Sequence, residues 1–196
     1  TGDGYWGTSA NWTAGVPSAT VGAVFDADAS VLFDSNSDGY VALSLAFTGD
    51  ISFAPSGNFQ AYLKIGTVDE ASSGTLSLNR MKIQNIGDST AKTGTDLSFP
   101  DTVTIKVVKN GTYQSELNRD YGSITVNGQL VFEDGACFRS AYEMAFLGGA
   151  SGDGVIDNYG SGTRTFSGDW SGFTGSYTSS NRAKFVGDFD GSASTW

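Results

Sequence analysis

The side chains of this chain that could do chemistry are carboxylates, tyrosines, lysines and arginines, because its 196 residues include no histidine. The lack of histidine excludes Ser-His-Asp and Cys-His catalysis and the usual zinc sites. Acids in glycine-rich segments commonly cap turns, so the sequence favours a protein that is not an enzyme. A glycosidase would need only two carboxylates at a defined separation, and its candidate pairs are Asp69-Glu70, Glu133-Asp134 and Asp188 with Asp190.

The segment that begins at Asp34 matches the first half of a calcium-binding loop. Oxygen ligands alternate with other residues at Asp34, Asn36 and Asp38. Gly39 then provides for a sharp turn, but the twelfth position holds Leu45 instead of a bidentate glutamate. Two interpretations stay open, a weak calcium site at these three residues or a plain polar loop between strands.

Aromatic side chains near both ends of the chain are candidate binding residues. Tyr5, Trp6 and Trp12 could form a platform that stacks on sugar rings or docks a neighbouring chain. Trp196 would be an exposed apolar group in a monomer, which favours contact with another chain or module. The alternative is that Trp6 and Trp12 close one end of the hydrophobic core.

Composition and charge narrow the class of protein. Charged residues are only 16% of the chain and 27 residues are glycine, so the polar surface consists mainly of Ser, Thr, Asn and Gly, as in exported bacterial β proteins. The net charge is −10 and the basic residues are scattered, which excludes a nucleic-acid partner. No apolar run approaches the roughly 18 to 20 residues of a membrane helix, so no membrane insertion is predicted.

Short strands separated by turns must position these side chains. Strand-length runs follow one another from residue 20 to residue 186, and within 103–107 apolar residues alternate with polar ones. The pattern returns at a loose period of about 20 to 25 residues, the spacing of coils in a solenoid. Asn110-Gly111 and Asn127-Gly128 suit either solenoid corners or antiparallel hairpins, so an antiparallel β-sandwich or jelly roll stays open.

Three segments resemble a known family. Residues 5–17 (YWGTSANWTAGVP), followed by Ala23-Val24-Phe25, look like the opening of autotransporter-type passenger segments. Residues 154–178 are similar to the autotransporter-associated β-strand repeat, and residues 124–132 (ITVNGQLVF) resemble another coil of that kind. The resemblance implies a right-handed parallel β-helix that is exported and displayed outside the bacterial cell as a stalk, adhesin or surface coat.

We therefore predict one all-β domain over residues 1–196, a right-handed parallel β-helix and a candidate module of a longer exported protein. The predicted function is that of an extracellular structural, assembly or adhesive protein, whose partners are copies of itself or neighbouring modules. A carbohydrate-binding module with exposed aromatics is the alternative, and a polysaccharide lyase or glycoside hydrolase is a third. No cofactor is predicted other than calcium at the Asp34 loop.

Overall fold

The computed structural model describes residues 4–36, 39–111, 113–179 and 182–187. About 56% of the described residues are in strands or bridges. The helical structure in the described ranges is a single 3-10 turn, Ser9–Asn11, and no helix there is long and apolar enough to cross a membrane. The strands are β1 (Ala23–Phe25), β2 (Ala29–Phe33), β3 (Tyr40–Phe47), β4 (Ile51–Pro55), β5 (Ala61–Val68), β6 (Gly74–Leu78), β7 (Met81–Asn85), β8 (Gly87–Asp88), β9 (Thr93–Gly94), β10 (Leu97–Phe99), β11 (Val103–Val107), β12 (Ser115–Asn118), β13 (Ile124–Val126), β14 (Leu130–Ala141), β15 (Met144–Phe146), β16 (Ala150–Tyr159), β17 (Arg164–Phe166), β18 (Gly172–Phe173), β19 (Ser176–Ser179) and β20 (Ala183–Phe185).

The strands coil into a parallel β-solenoid of about seven turns. Three stacks of strands run along it. The first is β1-β3-β5-β7-β12-β14-β16-β19, the second is β2-β4-β6-β11-β14-β16-β18, and the third is β10-β13-β15-β17-β20. Strands β14 and β16 are long enough to serve both the first and the second stack, and their pairing shifts register between Phe132 and Ala136 where they turn the corner.

Each pairing along these stacks is parallel and joins residues one coil apart. Ala23 of β1 pairs with Leu45 of β3, and Arg164 of β17 pairs with Ala183 of β20. The antiparallel contacts among the described residues are local ones, the pairing of β8 with β9 and a single bridge near residue 20. The predicted parallel β-helix is confirmed, and the antiparallel sandwich is not formed, because the strands of each stack pair in parallel with those of the adjacent coil.

Neither Asn-Gly pair forms a hairpin. Asn127-Gly128 makes the corner between β13 and β14, and Asn110-Gly111 lies in the connection from β11 to β12. The strands on both sides of each pair are parallel to strands of adjacent coils. A Cβ at position 128 would lie 1.7 Å from the carbonyl oxygen of Val103, so only glycine lets the two coils approach at this corner.

The length of a coil varies along the solenoid. Paired residues are 18 positions apart from Ala136 to Gly154 but 34 positions apart from Lys82 to Glu116. The long interval contains the β8–β9 hairpin and the connection between β11 and β12. These insertions explain why the period in the sequence is loose.

The core fills the inside of the coils, and its composition changes along the axis. In the middle coils it is aliphatic, as in the register-matched column of Leu63, Ile83 and Leu117. At the C-terminal end it is aromatic, with Phe166 stacked on Phe146 at 5.6 Å between ring centroids. Each such buried side chain contributes about 1.5–3 kcal/mol, so the core is the main source of stability.

A buried asparagine holds the corner that follows β7. The Asn85 side chain donates to the carbonyl oxygens of Thr95 (2.6 Å) and Tyr121, and its Oδ1 accepts from the backbone N–H of Asp120 (2.7 Å). It is fully buried. One amide therefore ties the end of the β8–β9 insertion to the corner of the next coil, residues 119–122.

Candidate functional site

The first coil is covered by the segment that the sequence marked out for binding. Backbone hydrogen bonds join this segment to β2: Leu32 N donates to Gly4 O at 2.8 Å, and Trp6 N donates to Leu32 O at 2.9 Å. The 3-10 turn Ser9–Asn11 then reverses the chain, so that Trp12 returns against Trp6 with ring centroids 5.2 Å apart. The N-terminal segment thus occupies the edge of the second stack.

Trp6 belongs to the core. Only 1% of its surface is exposed, and its ring stacks on Phe33 at 5.3 Å with an angle of 24° between the planes. Phe53 contacts it edge-on at 6.1 Å. A glycan or a partner chain cannot reach this indole, so its role in the structure is to close the end of the core.

Trp12 and Tyr5 line a groove on the outside of this cap, which we call the N-terminal groove. It has a volume of about 510 Å³, and its walls include Tyr5, Asn11, Trp12, Phe25, Asp26 and Ser30. The Trp12 indole is half-buried and packs edge-on against Phe25 at 5.6 Å. Its Nε1 donates to the carbonyl oxygen of Trp6 at 2.8 Å, which fixes the orientation of the ring.

The N-terminal groove combines apolar rings with polar groups. Trp12 and Phe25 supply aromatic surface, while the Asp26 carboxylate and the Ser30 hydroxyl supply hydrogen-bonding atoms. A concave, partly apolar site with a few polar groups is the usual form of a small-ligand site. The structure therefore brings together Tyr5 and Trp12, while Trp196 lies outside the described residues.

The Asp34 loop is engaged in hydrogen bonds of its own. Tyr40 Oη donates to the Asp34 carboxylate and accepts from the backbone N–H groups of Asp34 and Ser35, each at 3.1 Å. Burial, and then the bond to Asp34, raise the pKa of the Tyr40 hydroxyl. Asn36 is exposed, and Asp38 lies outside the described residues. In the described ranges no three His, Cys, Asp or Glu side chains are grouped to hold a metal, and the calcium site stays a prediction.

The acidic pairs considered for glycoside cleavage have local partners. Asp69 Oδ1 accepts from the backbone N–H of Ala71 at 2.8 Å and so caps its own turn. Glu133 accepts from the backbone N–H of Lys109 at 3.1 Å and forms an ion pair with Lys106 at 3.1 Å, and these two contacts lower the pKa of its carboxyl group. Asp188 and Asp190 are outside the described ranges. The structure thus places Asp69 in a turn and Glu133 in a surface ion pair.

The sequence did not indicate a row of alternating charges on the outside of the first stack. Lys82, Glu116, Arg139 and Asp157 are in register on successive coils. Lys82 Nζ lies 3.6 Å from Glu116 Oε1, and Arg139 Nε lies 3.1 Å from Asp157 Oδ2. Opposite charges on successive coils attract, so this row supports the register. No sequence signal reveals it, because the coils that carry these residues differ in length.

Tyr159 covers the Glu116 carboxylate of this row. Its hydroxyl donates to Glu116 Oε1, which also accepts from Asn118 Nδ2 at 2.7 Å, and Glu116 is only 3% exposed. The Arg139 guanidinium lies 3.9 Å from the centre of the Tyr159 ring. Burial, followed by the bond to Glu116, raises the pKa of the Tyr159 hydroxyl. This network is fully engaged within the protein and leaves the N-terminal groove as the better candidate for a ligand.

An acidic cleft lies where the third stack begins. Its volume is about 660 Å³, and Glu70, Asp96 and Asp101 are among its lining residues. The Asp96 carboxylate accepts from both the backbone N–H and the hydroxyl of Ser123, at 2.9 and 2.8 Å. The cleft forms because the end of β5 lies beside β10 in a coil that carries an insertion. The sequence placed Glu70 in an acidic pair but could not associate it with residues 96–101.

Comparison of the chain with protein-family models, with curated proteins and with solved structures found no match. The resemblance of residues 5–17, 124–132 and 154–178 to autotransporter segments therefore stays a prediction carried by those residues alone.

Proposed function

We propose that this chain is an extracellular structural protein of the adhesive type, a short stiff solenoid displayed at a cell surface. The observation that supports this proposal most is the continuity of the parallel ladders through about seven coils. Because each inner coil is hydrogen-bonded to a neighbour on both sides and packed around one core, the molecule resists bending. Stiffness of this kind suits a stalk, a sheath or a surface layer.

The surface supports an extracellular location for this scaffold. Its polar groups are mainly Ser, Thr, Asn and Gly, and the net charge of −10 favours solubility over non-specific association. The N-terminal segment covers the edge of β2, which would otherwise be free to pair with another strand. Assembly of copies would then use the outer faces in preference to this edge.

The test of the structural function is assembly. Analytical ultracentrifugation and negative-stain electron microscopy of the purified chain, from micromolar to millimolar concentration, should show ordered filaments or sheets. Co-sedimentation of the chain with bacterial cell-envelope fractions tests whether it attaches to an envelope instead. A chain that stays monomeric throughout and does not attach to any envelope fraction would contradict the proposal.

A second candidate function is carbohydrate binding, and the N-terminal groove favours it. Trp12 is held by its bond to the Trp6 carbonyl and lines the groove together with Asp26 and Ser30. An aromatic ring fixed before binding loses little conformational entropy when a sugar stacks on it. This arrangement supports a lectin-like role, in which the scaffold would attach to glycans through its N-terminal end.

The test for this second function is a glycan array probed with the wild-type chain and two variants. Trp12→Ala should remove binding while the chain stays folded by circular dichroism. Tyr113→Ala is the matched control, because Tyr113 is an exposed aromatic that does not line the groove. Equal binding by Trp12→Ala and the wild type would rule out the groove as the glycan site.

A further inference from the structure

We propose that a second groove, at the corners that follow β12 and β14, binds a neutral saccharide. We call it the Tyr142 groove. It has a volume of about 330 Å³ and is lined by Ser89, Arg119, Asp120, Tyr121, Tyr142 and Ser161. It shares no residue with the N-terminal groove. The inference takes only the class of ligand from the second candidate function, carbohydrate binding, and stands on separate contacts.

The backbone at this groove is in an unfavourable conformation. Tyr121 has φ of 58° and Tyr142 has φ of 67°. The left-handed region is rarely adopted by bulky side chains, and residues held in it concentrate at functional sites. Two tyrosines in this conformation therefore line the same small groove, on consecutive coils.

The next coil shows that the backbone does not require a tyrosine. Ala141 pairs with Tyr159, which places Tyr142 in register with Gly160. Gly160 has φ of 78°, nearly the conformation of Tyr142, and adopts it without strain. A glycine would serve equally at position 142 if the turn were all that mattered. The ring at 142 must then contribute something other than the turn.

The ring at 142 is accessible to a ligand. Tyr142 is 41% exposed, and the Arg119 guanidinium carbon lies 6.0 Å from the centre of its ring. Arg119 Nη1 donates to the carbonyl oxygen of Gly122 at 3.1 Å, so the guanidinium is held at the side of the groove. An exposed aromatic ring beside a fixed planar donor is a suitable surface for a polar molecule with one apolar face.

The other groups that line the Tyr142 groove favour a neutral sugar over a charged one. The hydroxyls of Ser89 and Ser161 can donate to or accept from sugar hydroxyls, and the Asp120 carboxylate can accept from them. The charge of Arg119 is offset by Glu143, whose Oε2 lies 3.9 Å from Arg119 Nη1. With a net charge of −10 on the whole chain, a polyanionic glycan would be repelled.

The walls of the Tyr142 groove are fixed before any ligand binds. Asn85 anchors the backbone at Asp120 and Tyr121. On the other side, the Asp88 carboxylate accepts from the backbone N–H groups of Thr90 and Ala91, at 2.8 and 3.0 Å, and so stabilises the turn that carries Ser89. A site with fixed walls retains more of its contact energy as affinity.

The experiment distinguishes the contribution of the Tyr142 ring to binding from the effect of its strained backbone on stability. Tyr142→Gly removes the ring and relaxes the backbone, so we expect a higher melting temperature but binding of neutral oligosaccharides at least about tenfold weaker. Lys92→Gly is the control, because Lys92 is exposed, has φ of 55° and does not line the groove. It should raise the melting temperature and leave binding unchanged.

Binding is measured by titration calorimetry with xylohexaose, cellohexaose and mannohexaose, and with polygalacturonate as the anionic comparison. Three results would overturn the inference: no neutral oligosaccharide binds the wild type, Tyr142→Gly binds as tightly as the wild type, or only polygalacturonate binds. Loss of binding in Trp12→Ala, with full binding in Tyr142→Gly, would assign the sugar to the N-terminal groove and also overturn it. None of these results depends on whether the chain assembles.

Discussion

At the scale of single residues, buried polar side chains hold the corners of the solenoid. Arg164 is fully buried and donates to the carbonyl oxygens of Ser140 at 2.9 Å and Tyr159 at 2.7 Å. It also reaches the carbonyls of Ser161 and Gly162. Burial lowers the pKa of Arg164 to about 10, so the side chain is still protonated near neutral pH. One guanidinium thus joins the carbonyls at the ends of β14 and β16 to those of the turn at residues 161–162.

We expect Arg164→Ala to lower the free energy of unfolding by about 3 kcal/mol, because the buried carbonyl of Ser140 and the half-buried carbonyl of Tyr159 lose their donor. Urea denaturation followed by tryptophan fluorescence measures the change. Arg182→Ala removes the same charge from an exposed position and should have an effect within about 0.5 kcal/mol. Similar losses in the two variants would mean that net charge, rather than the buried contacts, sets the stability.

The Tyr159–Glu116 contact predicts how stability depends on pH. The pKa of Tyr159 is raised in the folded chain above its ordinary value of 10.0, so the folded state retains a proton that the unfolded state loses. The stabilisation is complete below about pH 10 and is lost as the pH rises through the folded pKa. The free energy of unfolding should therefore fall as the pH rises above about 10.

Tyr159→Phe should flatten this alkaline dependence and lower stability at neutral pH by about 1–2 kcal/mol, because Glu116 loses a donor. Urea denaturation at a series of pH values from 7 to 11 tests both effects. Tyr113→Phe, at an exposed tyrosine, should keep the wild-type slope. An unchanged slope in Tyr159→Phe would show that the Tyr159 hydroxyl does not cause the dependence.

At the scale of elements, the corners between strands depend on how close the coils approach. A Cβ at position 128 would lie 1.7 Å from the carbonyl oxygen of Val103, whereas a Cβ at position 111 would meet nothing within 4 Å. Both residues follow an asparagine, and their sequence signals are the same. The sequence could not separate a corner from a hairpin here, since turn chemistry is local and the pairing partner is a coil away.

Gly128→Ala should destabilise the chain by about 2–3 kcal/mol, because the added methyl forces two coils apart. Gly111→Ala is the matched control and should change stability by less than about 1 kcal/mol. The melting temperatures of the two variants compare the effects directly. Equal melting temperatures would mean that the corner at 128 relaxes at little cost.

At the scale of the whole molecule, the coils form a column in which each contacts mainly its neighbours. Seven coils at the ~4.8 Å spacing of paired strands give a column about 34 Å tall. Middle strands such as β5 and β7 pair on both sides, whereas β1 and β20 each pair with one strand in the described part of the chain. Stability should therefore decrease toward both ends.

Hydrogen–deuterium exchange tests this gradient. The amides of β5 and β7 should exchange slowest, and those of β1 and β20 should exchange at least about tenfold faster, because fewer contacts are lost when an end coil opens. The N-terminal cap should protect β2 more than β1, since residues 4–6 are bonded to it. Uniform protection along the chain would indicate that the solenoid opens as one cooperative unit.

The sequence by itself determined the class of fold and the absence of histidine chemistry. The alternation within residues 103–107 and the spacing of turns require short half-buried strands, and both are properties of neighbouring residues. The sequence also showed aromatic residues near both ends of the chain, but it did not show which of them are accessible. Trp6 and Trp12 are alike in sequence, and only the packing separates a buried core residue from a groove residue.

Only the tertiary structure decided which residues share a site. Arg119 and Tyr142 meet because Asn118 pairs with Ala141, and the row from Lys82 to Asp157 forms because four coils align. The step between aligned residues ranges from 18 to 34 positions, according to the insertions that each coil carries. Register between coils is set by core packing and insertion length over these distances, whereas sequence patterns report on residues a few positions apart. The fold could thus be predicted from the chain, and both grooves required the structure.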